Sequence, residues 1–188
     1  MLDPSSFAYD QQAPFSLEVL ADRVQNGAIV RDITYASPRG GKVPAYLIYP
    51  SQQPPQAGLI FGHWGEGNRV EFVDEALVLT RLGFVSLCLA APVRRPAEYE
   101  PQLTQPQMEL QWIADVRRGV DVLLEAFSLP AEHVGYVGHS FGATFGGVIA
   151  GVEHRISAFV LVAGWYALSE LARTSTVPVL SEARNKIP

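Results

Sequence analysis

The segment 138–142, with the sequence GHSFG, constrains the fold of this chain more than any other feature. It has the pattern G-x-S-x-G and lies between an apolar run at 133–137 and a helical pattern of small residues that begins at Ala143. A serine at a sharp turn from strand to helix must adopt a strained backbone, and flanking glycines let neighbouring chain approach without a Cβ clash. The pattern therefore predicts a strand, a tight elbow that carries Ser140, and a helix.

Apolar runs separated by helix-length segments predict an α/β fold. Residues 28–35 and 42–49 alternate as strands do around a turn rich in glycine, which predicts an antiparallel hairpin. Later runs are too continuous to have a solvated face, as is typical of parallel strands; they are 58–62, 84–89, 133–137 and 156–162. Helical spacing covers 70–82 and about 107–127. The order β-β-β-α-β-α-β-α-β predicts a mostly parallel, doubly wound sheet with an N-terminal antiparallel hairpin.

Length, charge and composition predict one soluble domain over residues 1–188. The chain is 48% hydrophobic and 18% charged, which is enough to bury one core. A net charge of -5, without a run of basic residues, argues against a nucleic-acid surface. The N-terminal residues do not resemble a signal peptide, and no apolar stretch reaches the roughly 18 residues of a membrane span. We therefore expect a cytoplasmic protein that binds neither nucleic acid nor membrane.

Cys88 is the only cysteine of the chain, so an internal disulfide cannot form and a cysteine metal cluster is not expected. It lies within the apolar run 84–89, where a cysteine behaves as a small hydrophobic side chain. We expect a buried, unreactive thiol.

Ser140 is the candidate nucleophile. A serine hydroxyl is a weak nucleophile, so acyl transfer needs a base for its proton and hydrogen-bond donors for the oxyanion. The backbone N–H of Phe141, at the start of the helix, is the predicted first donor. The second is predicted in the glycine-rich turn after the run 58–62, at the backbone of Gly65, with Trp64 as the alternative. Such chemistry needs no metal and no organic cofactor.

The two motifs, at 63–67 and 138–142, resemble those of the α/β-hydrolase superfamily, and within it the dienelactone-hydrolase-like and prolyl-oligopeptidase-like esterases. In that family a His-Gly-x-Gly turn follows the third strand, and Trp64 here replaces its first glycine. The resemblance extends from the hairpin to about residue 165. It implies an eight-strand sheet, a Ser-Asp-His triad and hydrolysis of small esters or related acyl compounds. It also implies that Gly138, His139 and Gly142 shape the elbow around Ser140.

The same resemblance leaves the triad incomplete. The family's acid follows the sixth or seventh strand and its histidine the eighth, whereas this chain is expected to be truncated after the sixth strand. No position therefore matches either residue, and we expect little or no turnover because a serine without its base loses several orders of magnitude in rate. The alternative function is a catalytically inactive hydrolase that acts as a binding or interaction scaffold. An uncovered sheet edge would also favour a homodimer.

The histidines near the elbow are poor substitutes for the missing base. His154 precedes the run 156–162, which places it at the edge of the sheet opposite the elbow. His139 is expected to point away from Ser140 and to pack under the turn. His63 lies on the correct edge, but in the resembled family this histidine supports the loop. Among acids, Glu170 follows the sixth strand and, with no histidine to orient, is expected to be a solvated helix residue. Glu182, near the end of the chain, is a weaker candidate than Glu170.

Other polar and aromatic residues have simpler explanations. Arg94 and Arg95 follow the run 84–89 and could contact an anionic substrate, although loop arginines are usually solvated. Trp165 and Tyr166 could line an apolar pocket. The helix at 107–127 carries a predicted charged face with pairs at i, i+3 and i, i+4, formed by Asp115, Arg117, Arg118 and Asp121.

The residue spacing at the glycine-rich turn argues against a nucleotide-binding loop. Gly62, Gly65 and Gly67 do not fit G-x-G-x-x-G, and the sequence contains no Gly-Lys-Ser/Thr for a phosphate loop. The following strand, at 84–89, also ends without the acidic residue that would bind a ribose.

Overall fold

A computed structural model describes residues 4–99, 103–165, 173–174 and 176. Within these residues one sheet contains seven strands: β1 (Glu18–Gln25), β2 (Ala28–Ala36), β3 (Lys42–Pro50), β4 (Ala57–Gly62), β5 (Phe84–Leu89), β6 (Val134–His139) and β7 (Ile156–Val162). The α-helices are α1 (Val73–Leu79), α2 (Gln105–Phe127) and α3 (Phe141–Val152). Inside the described ranges, no helix is both long enough and apolar enough to cross a membrane.

The strands lie in the order β1-β2-β3-β5-β4-β6-β7. The pairs β1–β2, β2–β3 and β3–β5 are antiparallel. By contrast, β4 runs parallel to both β5 and β6, and β6 runs parallel to β7. The predicted α/β class, with an antiparallel hairpin preceding a parallel sheet, is therefore confirmed. Because parallel strands place their carboxyl ends at one edge, the turns after β4 and β6 lie close together.

The prediction missed β1. Its sequence, EVLADRVQ, shows no clear alternation, and its apolar side chains lie on the surface. Val19 and Leu20 are each 48% exposed and Val24 is 74% exposed. A strand that pairs through its backbone without burying a face gives no period-two signal in the sequence.

The central strands of the sheet are covered on both faces, and their alternate residues enter different cores. Leu87 and Leu89 of β5 pack with residues of α2 and α3, whereas Cys88, between them, packs with residues of α1. Cys88 is only 1% exposed, and burial raises the pKa of its thiol, so the buried cysteine is confirmed. Each large apolar side chain buried in this way contributes roughly 1.5–3 kcal/mol.

The predicted charged face of α2 is largely wrong, because two of its members are buried. Asp115 is 0% and Arg118 is 2% exposed. The carboxylate of Asp115 forms an ion pair with Arg95, at 2.5 Å between Oδ2 and Nη2. The expectation of a solvated or substrate-binding Arg95 is wrong for the same reason. Of the predicted i, i+3 pairs, the one between Arg118 and Asp121 is confirmed, at 2.9 Å.

Charged residues of α2 also hold the N-terminal segment of the chain. Arg118 donates to the carbonyl of Gln11 at 2.9 Å and lies over the ring of Phe15, 4.1 Å from its centroid. The hydroxyl of Tyr9 donates to Asp121 at 2.8 Å, and burial together with this carboxylate raises the pKa of Tyr9 to about 12. The polar side of α2 is therefore an internal anchor for residues before β1.

Candidate active site

A single residue, Ser140, separates β6 from α3, and its backbone is strained. Its φ of 49° and ψ of -101° lie in a region that residues other than glycine rarely adopt, at a cost of about 1–3 kcal/mol. Hydrogen bonds hold this conformation: the N–H of Ser140 donates to Val162 at 2.9 Å, and Thr144 donates to the Ser140 carbonyl from its N–H at 2.8 Å and from its hydroxyl at 2.9 Å. The sharp turn is therefore fixed from β7 and from within α3.

The glycines on either side of Ser140 are required by close approach of the backbone. A Cβ at Gly142 would lie 2.2 Å from the carbonyl oxygen of Gly62, and a Cβ at Gly138 would lie 2.6 Å from the carbonyl carbon of Gly142. Neither glycine has a positive φ, so the requirement is one of space. The first turn of α3 consequently packs directly against the end of β4.

The hydroxyl of Ser140 is left uncommitted by this geometry. The residue is partly exposed, and no described residue is hydrogen-bonded to its Oγ. All four histidines of the chain lie within the described residues. Both ring nitrogens of His63 and the Nδ1 of His133 and His139 make hydrogen bonds to groups other than Ser140, and His154 is exposed. Within the described residues, Ser140 therefore has no contacting base.

His63 is a structural part of the turn after β4. The residue is 1% exposed; Nδ1 donates to the carbonyl of Trp64 at 2.6 Å, and Nε2 accepts from the N–H of Ala91 at 2.9 Å. Both bonds fit one neutral tautomer, and burial lowers the pKa of this histidine. The expectation that His63 supports the loop is confirmed, and its lone pair is unavailable as a base.

The orientation of one peptide group places the Gly65 N–H. The carbonyl of Trp64 accepts from His63 and also from the N–H of Gly67, at 3.0 Å. Because this peptide is trans, the N–H of Gly65 points away from those two donors. A Cβ built at Gly65 would lie 4.0 Å from the Cβ of Phe141, so this part of the turn lies beside the first residue of α3.

The two predicted donors of the turn are not equivalent. The N–H of Trp64 donates to the carboxylate of Glu71 at 3.2 Å, and is therefore engaged. No described residue accepts the N–H groups of Gly65 and Phe141. Of the two candidate groups in the turn, the Gly65 N–H is therefore the one without an acceptor among the described residues.

The expectation that His139 packs under the turn is wrong. Its ring is 39% exposed, and Nδ1 lies 2.7 Å from Oε1 of Glu71. The reason is that Glu71, in the segment between β4 and α1, places its carboxylate beside His139, the last residue of β6. Sequence reasoning missed Glu71, because 68 residues separate it from His139 and no spacing motif joins them.

The remaining sequence candidates are dispersed. Arg94 is exposed and donates from Nε to the carbonyl of Gly65 at 2.9 Å. His154 is exposed, as expected, and lies in the connection between α3 and β7. The N–H of Trp165 donates to the Thr144 hydroxyl at 3.0 Å, and its side chain lines an open cavity of about 500 Å³ with Leu161 and small residues of α3. Tyr166, Glu170 and Glu182 lie outside the described residues.

Comparisons with known proteins gave matches at the level of structure alone. A scan against protein-family models and a search of curated proteins returned no match. Among solved structures, an acetyl xylan esterase from Paenibacillus sp. R4 matches with a TM-score of 0.79 and 17% identity, over 96% of this chain and 63% of that one. Acetyl xylan esterase 1 from Thermoanaerobacterium sp. JW/SL YS485 matches with a TM-score of 0.78 and 14% identity, over 96% and 64%.

A third solved structure is brefeldin A esterase, described as a bacterial homologue of human hormone sensitive lipase. It matches with a TM-score of 0.59 and 16% identity, over 89% of this chain and 47% of that one. The chain thus spans less than two thirds of the length of these three proteins. At such identities the likeness concerns the fold alone, which together with the strand order is an α/β-hydrolase-like fold.

Proposed function

We propose that this chain carries out serine-dependent hydrolysis of small carboxylic esters, with Ser140 as the nucleophile. The observation that carries the proposal is the strained Ser140 backbone between β6 and α3, which presents an uncommitted hydroxyl. Strain of this kind persists only where surrounding structure holds it, and it concentrates at functional sites. The solved structures with this fold include proteins named as esterases, which supports the same chemistry.

The proposed reaction uses two backbone donors. The Oγ of Ser140 attacks the acyl carbon, its proton passes to a base, and the carbonyl oxygen becomes an oxyanion. The N–H groups of Phe141 and Gly65 stabilise that charge, since neither has an acceptor among the described residues. The alcohol leaves with a proton, and water then hydrolyses the acyl-serine to the acid and free enzyme. No step requires a metal or an organic cofactor.

The base is the part of this mechanism that the described residues do not supply. The His63 lone pair accepts from Ala91, and the Nδ1 of His139 is engaged by Glu71. Oxyanion donors and binding alone can retain about 10³- to 10⁴-fold acceleration over water when a triad member is lost. We therefore propose that Ser140 reacts with strongly activated acyl donors, whereas turnover by the described residues alone is slow.

A second candidate function, a binding or interaction scaffold without turnover, is favoured by the same lack of a contacting histidine. In that case the strained backbone of Ser140 belongs to the fold and has no catalytic role. The dienelactone-hydrolase-like and prolyl-oligopeptidase-like subgroups and a cytoplasmic location remain proposals for this chain.

Reaction of the full chain with a fluorophosphonate probe separates these functions. An adduct on the tryptic peptide that contains Ser140, lost in Ser140→Ala, supports the nucleophile. Hydrolysis of nitrophenyl acetate well above that of Ser140→Ala supports an esterase whose base lies outside the contacts described. No adduct on Ser140, or an adduct without such hydrolysis, supports the scaffold candidate. Labelling that is unchanged by Ser140→Ala places the adduct on another residue and contradicts Ser140 as the nucleophile.

We propose a homodimer through the outer edge of β7. Among the described residues no strand pairs with this edge, and Val160, Leu161 and Val162 are 42–55% exposed. An unpaired apolar edge strand is a template for pairing with another chain. Light scattering should show a dimer that Val160→Lys weakens, whereas a monomer at every concentration would contradict the dimer.

A further inference from the structure

The carboxylate of Glu71 joins the two loops that build the candidate active site. Oε2 accepts the N–H of Trp64 at 3.2 Å, in the turn after β4. Oε1 lies 2.7 Å from Nδ1 of His139, the residue that precedes Ser140. One side chain therefore connects the turn that presents the Gly65 N–H to the strand end that presents the serine.

The Glu71 carboxylate is held firmly at this junction. Its side chain is only 18% exposed. The adjacent Gly67 is packed so closely that a Cβ would lie 2.5 Å from both Oε2 of Glu71 and Cδ1 of Trp64. The N–H of Glu71 donates to the carbonyl of Asn68 at 3.1 Å, and α1 begins two residues later. Because this connection is short and partly buried, it fixes the positions of Trp64 and His139 relative to each other.

We infer that Glu71 is a positioning residue for the proposed reaction, setting the distance between the Gly65 N–H and the Ser140 hydroxyl. The inference rests on the proposed function and deepens it. By accepting the Trp64 N–H, Glu71 removes that group from the oxyanion site and leaves Gly65 as the donor. By holding His139, it fixes the turn relative to the last residue of β6. Displacement of a donor by about 1 Å can cost on the order of 100-fold in rate.

The test measures the rate at which a fluorophosphonate labels Ser140 in four forms of the full chain. Glu71→Ala removes both contacts. Glu71→Gln keeps one side-chain oxygen as an acceptor in the same place. Glu75→Ala is the matched control, because Glu75 is an exposed carboxylate one helical turn further along the chain. Thermal unfolding of each form establishes that it is folded at the labelling temperature.

We expect Glu71→Ala to label about 10- to 100-fold more slowly than the unmodified chain, Glu71→Gln to recover most of the rate, and Glu75→Ala to match the unmodified chain. Rescue by glutamine is a result that a loss of general stability would not give. Equal rates for Glu71→Ala and the unmodified chain would overturn the inference while leaving the proposed function intact. If Glu71→Ala does not fold, His139→Ala replaces it, with slower labelling expected and an equal rate again overturning the inference. Failure of the unmodified chain to label would instead contradict the proposed function, and the positioning role with it.

Discussion

The N–H of Gly142 donates a hydrogen bond to the carbonyl of His63, at 3.1 Å, and so fastens the first turn of α3 to the turn after β4. The two residues are 79 positions apart in the chain, yet this bond brings both backbone donors of the proposed oxyanion site to one place. Gly142 allows this approach because it has no Cβ, which would lie 2.2 Å from the carbonyl oxygen of Gly62, the residue immediately before His63.

Substitution of Gly142 by alanine should disrupt this contact. The added Cβ would lie 2.2 Å from the Gly62 oxygen, and backbone cannot move aside as a flexible side chain can. We expect a loss of about 1–3 kcal/mol in unfolding free energy, measured by urea denaturation. Gly147→Ala is the matched control on the same helix: it meets nothing within 4 Å and should stabilise by about 0.5–1 kcal/mol. Similar effects of the two substitutions would contradict the proposed packing.

Stability should fall as the pH decreases through about 6.5, the ordinary pKa of histidine, because His63 is buried in its neutral form. Burial lowers its pKa in the folded state, so the unfolded chain takes up the proton first. The contribution of the neutral ring is therefore complete above that pH and is lost progressively below it. Urea denaturation between pH 5 and 8 measures this slope, which should be smaller in His63→Asn. Equal slopes in the two proteins would mean that His63 is not held neutral.

Removing one partner of the buried ion pair between Arg95 and Asp115 should be strongly destabilising. Both side chains are 0% exposed, so Arg95→Met leaves an uncompensated buried carboxylate. Such losses amount to about 3–5 kcal/mol, which denaturant unfolding would detect. The control is Asp22→Asn, which breaks a pair with Arg31 on the surface, where both side chains are solvated, and should have a far smaller effect.

The thiol of Cys88 should be inert in the folded protein. It is 1% exposed and its pKa is raised by burial, so little thiolate is present or accessible. A chromogenic disulfide reagent should react with one thiol per chain in 6 M guanidinium and with almost none in buffer. Rapid reaction of the folded chain would place Cys88 at the surface instead.

The fold was largely predictable because each buried parallel strand is a continuous run of apolar residues in the sequence. Continuous apolar runs such as 84–89 and 156–162 became β5 and β7 with unchanged bounds. The strand β1 escaped prediction because it buries no face, and the buried Asp115 looked solvated because its partner, Arg95, lies in a loop 20 residues away. Local patterns report local structure, whereas the Asp115–Arg95 pair joins two separate segments, and β1 pairs with the adjacent strand β2 without burying a face that would give an alternating pattern.

The candidate site was predictable only in its local part. The elbow at 138–142 and the turn at 63–67 each have a motif, so Ser140, Phe141 and Gly65 could be proposed from the sequence. Glu71 could not, since its role arises from the meeting of two loops in space. The surroundings of His139 and His63 also depend on contacts in space. The ring of His139 lies beside the carboxylate of Glu71, whereas both ring nitrogens of His63 bind backbone groups.

The most direct test of this account is mass spectrometry of the full chain after reaction with a fluorophosphonate. We predict one covalent adduct per chain, located on Ser140, absent from Ser140→Ala, and formed only by the folded protein. An unmodified Ser140, or an adduct that persists in Ser140→Ala, would contradict the claim that the strained turn between β6 and α3 presents a reactive hydroxyl.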